Sequence, residues 1–361
     1  MAVIHLSVSS GTGEYPIYIG NGLVNSIGKL LEKKGLGPRI FAISNPLVWR
    51  LHGQTIQAAI PNIEPILISS GERHKNLRTV SRIYEILLNS EADRASTIIA
   101  VGGGVIGDTA GFAAATYLRG LPLVHIPTTL LAQVDSSIGG KVGVNHPKAK
   151  NLIGDFYAPS FVSIDPDFLK TLPRRELRAG LYEVVKYGMI ASPKILERLE
   201  NHMGSHFSHD PAVLIPTIEE SCKIKSTIVS ADERESNLRR VLNLGHTTGH
   251  ALEALTKYQR FRHGEAVAYG LLVAASLSTN REVLTETDRR VLSNLIRQMG
   301  PLPPIADLSA KEALQIIRHD KKVLRGKLHF VLPTGLGHVE IVDDVSASEL
   351  KRAMKQTGMA D

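Results

Sequence analysis

A chain of 361 residues with 43% hydrophobic residues has the length of about two domains and supplies ample core, which excludes a disordered or fibrous protein. Its one cysteine, Cys222, rules out an internal disulfide and suits a reducing compartment, and no apolar run approaches the roughly eighteen residues of a membrane span. No basic and apolar leader follows Met1, so the chain reads as cytoplasmic, without a membrane role. The net charge of +7 is spread out with no basic tail or RNA-binding motif, which favours acidic small molecules over nucleic acid as partners.

In chain order, short apolar runs rich in β-branched residues predict strands at 4–8, 15–19, 39–43, 65–69, 97–101 and 123–126. Amphipathic stretches at 22–33, 77–89 and 108–117 predict helices between some of them. This alternation implies an α/β, Rossmann-like domain over residues 1–165, a parallel sheet with ligands at the carboxyl ends of its strands. From about residue 165 the periodicity becomes helical, at 177–189, 212–231, 242–255, 265–279, 288–299 and 310–319, with a possible return to strand at 328–332. A mainly α-helical domain over residues 166–361 follows.

The clearest chemistry in the first half is the run from Thr97 to Asp108. Gly102, Gly104 and Gly107 have G-x-G-x-x-G spacing between a strand and a helix, so bare backbone can approach a pyrophosphate at the helix N-terminus. The pattern is weak alone: it lies far from the first strand and lacks the acidic residue about twenty positions on, and a plain tight turn would look the same. Downstream come Thr128 and Thr129, the stretch from Asp135 to Lys141 and Asn145, and Lys150-Asn151. Lysines and asparagines in a glycine-rich loop suit a phosphate or carboxylate.

In the second half His246 and His250, four apart, share one helix face, and His263 follows beyond a loop. A catalytic zinc needs three protein ligands and an open position, so histidines from this cluster plus one carboxylate would suffice. Any single histidine is more often a surface or satisfied core residue; the clustering favours a metal.

Together these stretches resemble the 3-dehydroquinate synthases over nearly the whole length. The motifs occur in the family's order: Gly71-Glu72 with Lys75, the glycine run ending in Asp108, Pro-Thr-Thr129, Asp135 through Lys141, Lys150-Asn151, Gly180 through Glu183 and Lys186, Asp232-Glu-Arg-Glu, and Asn243 through His246 to His263-Gly-Glu265. The resemblance implies a dehydroquinate synthase-like fold and one divalent metal, Zn2+ or Co2+, held by Glu183, His246 and His263, with His250 touching substrate. Asp135 and Lys186 would stand near the reacting carbons.

It also implies NAD, borrowed and returned, with contacts at Asn45, at Ser70, Gly71, Glu72, Arg73, His74 and Lys75, at Gly104, Val105, Ile106, Gly107 and Asp108, at Thr128, Thr129, Lys141 and Lys150, and at Phe168, Leu169, Lys170 and Thr171. Ser70, Asn45 and Val142 depart from residues frequent in the family. The implied reaction takes 3-deoxy-D-arabino-heptulosonate 7-phosphate to 3-dehydroquinate and phosphate in the shikimate pathway. Lys141, Asn151, Asn243, His250 and Lys322 would serve the phosphate, with Arg119 reaching across a homodimer, and Lys225 and Arg239 the carboxylate. The rivals are another sugar-phosphate cyclase and a metal-dependent polyol dehydrogenase; a nucleotide-binding module with a structural metal is poorest, because such sites are usually closed and cysteine-rich.

Overall fold

Strand β5 (Thr97–Gly102) is buried at every residue, as its unbroken apolar run demands, and lies inside a seven-stranded sheet. The computed structural model describes all residues except 1, 2, 12, 320–322, 325 and 326. Across the sheet the order is β1 (Ile4–Ser10), β2 (Gly13–Ile19), β9 (Phe161–Ile164), β6 (Leu123–Pro127), β5, β3 (Ile40–Ser44), β4 (Ile63–Leu67). Only the β1–β2 pair is antiparallel. Alternate residues of β3 serve two cores. Phe41 and Ile43 pack with α3 (Leu77–Asn89) and α4 (Gly104–Thr116), whereas Ile40 and Ala42 pack with α1 (Ile27–Lys33) and α2 (Pro46–Ala59). The sheet is therefore covered on both faces, as the alternating pattern predicts.

By internal contacts the chain forms two compact units: Met1–Pro173 with Leu214–Arg234, and Arg174–Val213 with Glu235–Asp361. A single cut at residue 165 differs from this division because most of α8 (Pro211–Ala231) is anchored to the first unit. Cys222 Sγ lies 3.4 Å from the Gln133 carbonyl oxygen, Ser9 N donates to Ser230 Oγ at 2.9 Å, and Gly11 N donates to Glu233 at 2.8 Å.

The second unit contains α5 (Arg174–Ala191), α6 (Pro193–Asn201), α7 (Met203–Phe207), α9 (His246–Leu255), α10 (His263–Asn280), α11 (Glu286–Met299), α12 (Ala310–His319) and α13 (Ala347–Gln356). A hairpin, Phe330–Gly335 with His338–Val342, packs Phe330 and Leu332 into its core. No described helix is long and apolar enough to cross a membrane.

Two expectations change. The glycine-rich stretch after Asp135 is a β-hairpin, β7 (Lys141–His146) with β8 (Ala149–Phe156), rather than a loop. Val142 is buried there, and a Cβ on Gly111 of α4 would fall 2.3 Å from its Cγ1, so core packing accounts for valine at that departure from the family. The helix expected over 242–255 is a 3-10 turn, Leu238–Asn243, followed by α9. Gly245 separates them at φ 78, where a Cβ would meet the backbone of Leu271 at 2.9 Å.

Candidate active site

In the first unit the expected cofactor residues gather at the carboxyl ends of parallel strands. Asn45 follows β3, the loop from Ser70 to Lys75 follows β4, the glycine run follows β5, Thr128 and Thr129 follow β6, and Phe168 to Thr171 follow β9. Each glycine in the run has its own reason. A Cβ at Gly102 would collide with Ile106 at 2.6 Å, one at Gly103 would press Thr129 at 3.0 Å, and Gly104 opens α4 with Ser136 Oγ 3.1 Å from the Cβ position. Packing alone thus demands some of these glycines. Asn45 Oδ1 accepts from Val48 N at 3.0 Å, so this residue caps α2.

A buried network ties the β7–β8 hairpin to the Glu72–Asn76 loop. Lys75, 3% exposed, ion-pairs with Asp108 and donates to Asn151 Oδ1 at 2.6 Å. Asn145 N donates to the Lys75 carbonyl at 2.8 Å, Asn145 Nδ2 to Glu72 Oε1 at 2.9 Å, and Lys150 Nζ lies 3.8 Å from Glu72. Burial pushes the Asp108 carboxyl up, and the Lys75 ammonium opposes that rise. Lys141 is exposed on β7; Arg119 is exposed beside Leu118, and Arg119 (φ 67) and Leu118 (φ 49) have left-handed backbone.

Asp135 lies in a one-turn π-helix, Ala132–Ser136, a distortion common at functional positions. Lys225 Nζ lies 2.5 Å from Asp135 Oδ1 and 2.7 Å from its carbonyl oxygen. The structure therefore pairs two residues that the family resemblance assigns to different parts of the substrate. Cys222 sits one helical turn away, fully buried, and burial pushes its thiol up, which removes it as a nucleophile.

In the second unit Glu183 is fully buried on α5. Its Oε1 lies 3.7 Å from His246 Nε2 and 3.6 Å from His263 Nε2. Ligand atoms around a tetrahedral zinc at bonds of about 2.0–2.2 Å stand about 3.3–3.6 Å apart, so the spacing suits one ion. Lys186 Nζ is 2.5 Å from Oε2, yet neither Glu183 oxygen accepts a hydrogen bond of ordinary geometry among the described residues. Lys186 supplies a cation on the Oε2 side, whereas Oε1, which faces the two imidazoles, has no donor among the described residues, and a buried carboxylate oxygen in that condition is costly unless a cation completes it. The donor atoms of His246, His250 and His263 also lie within 4.8 Å of one another, so the three-histidine set is sterically possible. The unpartnered Oε1 favours Glu183 with His246 and His263.

Close helix packing sets these positions. A Cβ on Gly264 would lie 1.9 Å from the Ala179 carbonyl oxygen, and one on Gly270 would lie 1.8 Å from that of Gly245, so glycine lets α10 approach α5 and the Gly245 turn. Glu265, fully buried, accepts from Arg175 Nε and Nη2 at 2.7 Å each and from Arg262 N at 2.8 Å. Arg239 is buried, and Asn243 Nδ2 donates to Glu235, whose backbone is left-handed at φ 58. Lys322 lies outside the described residues. Sequence reasoning assigned no role to Glu235, Glu253, Glu265 or Arg175. The helical spacing of Glu253 from His246 was the available signal, whereas nothing in sequence connects Arg175 with Glu265.

The fold matches solved structures of two sugar-phosphate cyclases. One is 2-deoxy-scyllo-inosose synthase complexed with carbaglucose-6-phosphate, NAD+ and Co2+ (TM-score 0.88, 26% identity, covering 98% of this chain and 100% of that one). The other is 2-epi-5-epi-valiolone synthase from Streptomyces hygroscopicus subsp. jinggangensis with NAD+ and Zn2+ bound (TM-score 0.87, 27% identity, 99% of each chain). Fold and site thus define an enzyme of the sugar-phosphate cyclase class. Family models described as 3-dehydroquinate synthase N-terminal and C-terminal match residues 65–179 and 180–323. A 3-dehydroquinate synthase from Picosynechococcus sp. is 46% identical over 347 residues, covering 94% of this chain and 95% of that protein. The chain belongs to the 3-dehydroquinate synthase family.

Proposed function

We propose that this chain converts 3-deoxy-D-arabino-heptulosonate 7-phosphate to 3-dehydroquinate and phosphate, with NAD at the carboxyl edge of the sheet and one Zn2+ or Co2+ held by Glu183, His246 and His263. The observation that carries the metal site is the buried Glu183 Oε1, which accepts no hydrogen bond among the described residues and faces two imidazole Nε2 atoms. When bound, NAD supplies a hydride acceptor and the metal a Lewis acid toward substrate oxygen.

The remaining work falls to side chains. Lys186, 1% exposed, holds a proton beside Glu183 and keeps positive charge where substrate oxygen becomes anionic. In the second unit Asn243 and His250 offer donors to the phosphate, and the buried guanidinium of Arg239 suits a planar carboxylate. In the first unit Lys141 and Asn151 serve the phosphate, and Lys225 serves the carboxylate from its place on Asp135. Lys322 belongs to the same proposal from sequence alone. The enzyme is expected to act in the cytoplasm as a homodimer, with Arg119 directed toward the partner subunit's substrate.

The test is phosphate release from the heptulosonate phosphate with divalent metal and trace NAD. Turnover without net NADH supports the synthase; stoichiometric NADH would mean a dehydrogenase. Sedoheptulose 7-phosphate, which lacks the carboxylate, separates the other cyclases. Preference for it by the wild type, or indifference of Arg239→Lys to the two substrates with no loss of rate, would reject the assignment.

A further inference from the structure

The two imidazoles that face Glu183 are held differently at their far nitrogens. His246 Nδ1 lies 3.1 Å from the Leu244 carbonyl oxygen, whereas His263 Nδ1 lies 3.3 Å from Glu253 Oε2. Glu253 is 4% exposed and sits two helical turns after His246, on the face of α9 that carries His246 and His250. A carbonyl oxygen and an ionised carboxylate can only accept, so each hydrogen bond requires the proton on Nδ1. That tautomer leaves both Nε2 lone pairs directed toward the Glu183 side.

We propose that Glu253 is a positioning residue for the metal, acting through His263: it fixes the Nδ1–H tautomer and ring orientation, and its charge makes His263 a stronger donor than His246. This rests on the ligand set proposed above. The two ligands are then inequivalent, one backed by a neutral backbone oxygen and the other by a buried carboxylate. Carboxylates behind metal-bound histidines act in this way, and their loss typically weakens metal binding about 10- to 100-fold. Glu265, two residues after His263, is occupied by Arg175 and the Arg262 amide and takes another task, holding the start of α10.

Dissociation constants for Co2+ and Zn2+, measured by competition with a chelating dye, test the proposal on wild type, Glu253→Gln, Glu253→Ala and His263→Ala. The expected result is one ion per chain in wild type and Glu253→Gln, with affinity about 10- to 100-fold weaker in Glu253→Gln, weaker still in Glu253→Ala, and weakest in His263→Ala. The visible absorption of bound Co2+ should change in Glu253→Gln. A purely structural role for Glu253 would lower the melting temperature of the metal-free variant and leave metal affinity within twofold of wild type; that result, with His263→Ala weakened, overturns the proposal. Undiminished affinity in His263→Ala would instead overturn the ligand set. A measurement without substitution stands beside these: in zinc-loaded wild type, nitrogen-15 correlation spectra should place the His263 proton on Nδ1, and a proton on Nε2 overturns the proposal.

Discussion

The two units build their candidate binding features from opposite materials. In the first, the cofactor edge is mostly backbone: glycines that make room, strand ends that face one way, and a lysine whose main task is to tie loops together. In the second, the site is made of charged and titratable side chains on tightly packed helices, with glycines buried in the helix contacts. Backbone sites tolerate many side chains provided that none intrudes, whereas a carboxylate–imidazole cluster depends on each group. Substitutions in the first unit should therefore act on loop order and cofactor affinity, and removal of a charged ligand in the second should act on metal affinity.

The sharpest break should come at Glu183. Glu183→Gln keeps the volume and removes the anion, so metal content by elemental analysis should fall to near background and turnover with it, while the fold persists. Full metal occupancy in this variant would dissolve the contrast between the units. Next, Gly264→Val places a branched side chain against the Ala179 carbonyl and should lower stability by about 3 kcal/mol or more in denaturant unfolding. Unchanged stability would mean that α5 and α10 can part at no cost.

In the first unit, Lys75→Met leaves Asp108 and Asn151 without their shared ammonium, at a cost of about 2 kcal/mol, reduced from that of a fully buried pair because Asp108 is partly exposed. NAD affinity should fall with it, measured by calorimetry, and metal affinity should not. A matching loss of metal would erase the contrast between the two units.

At neutral pH the last effect vanishes, and it grows only on acidification. His125 is buried on β6, and burial lowers its pKa from 6.5 to about 4. The folded state therefore resists protonation that the unfolded state accepts. Stability from this residue is fully present above pH 6.5 and falls as pH drops from 6.5 toward 4, by about 1.4 kcal/mol per unit at most. His125→Gln should flatten that slope in chemical unfolding measured between those limits.

Much of this architecture is legible without coordinates. The run from Thr97 to Asp108 predicts a buried strand, a turn and a helix, and β5 and α4 are there. The α/β half and the α half follow from a change of period near residue 165. The failures have local causes. Glycines at 139, 140 and 143 read as a loop although Gly143 and Gly154 allow β7 and β8 to approach, a Cβ on Gly143 falling 2.7 Å from the Ile153 carbonyl oxygen. The periodicity over 242–255 continues through Gly245, but the chain does not, because the left-handed turn there is set by the helix packed against it.

By itself the sequence determined which residues have suitable chemistry and the family whose motifs order them: the glycine run, the spaced histidines, Glu183 and Lys186 one helical turn apart. Periodicity and residue type are local, and local information suffices for these. Only the tertiary structure decided which far nitrogen Glu253 backs, that Arg175 holds Glu265 across ninety residues of chain, that Lys225 pairs with Asp135, and that α8 returns to the first unit. Those are contacts between segments distant in sequence, chosen by burial and by the need of each buried charge for a partner, and no window of neighbouring residues contains that choice.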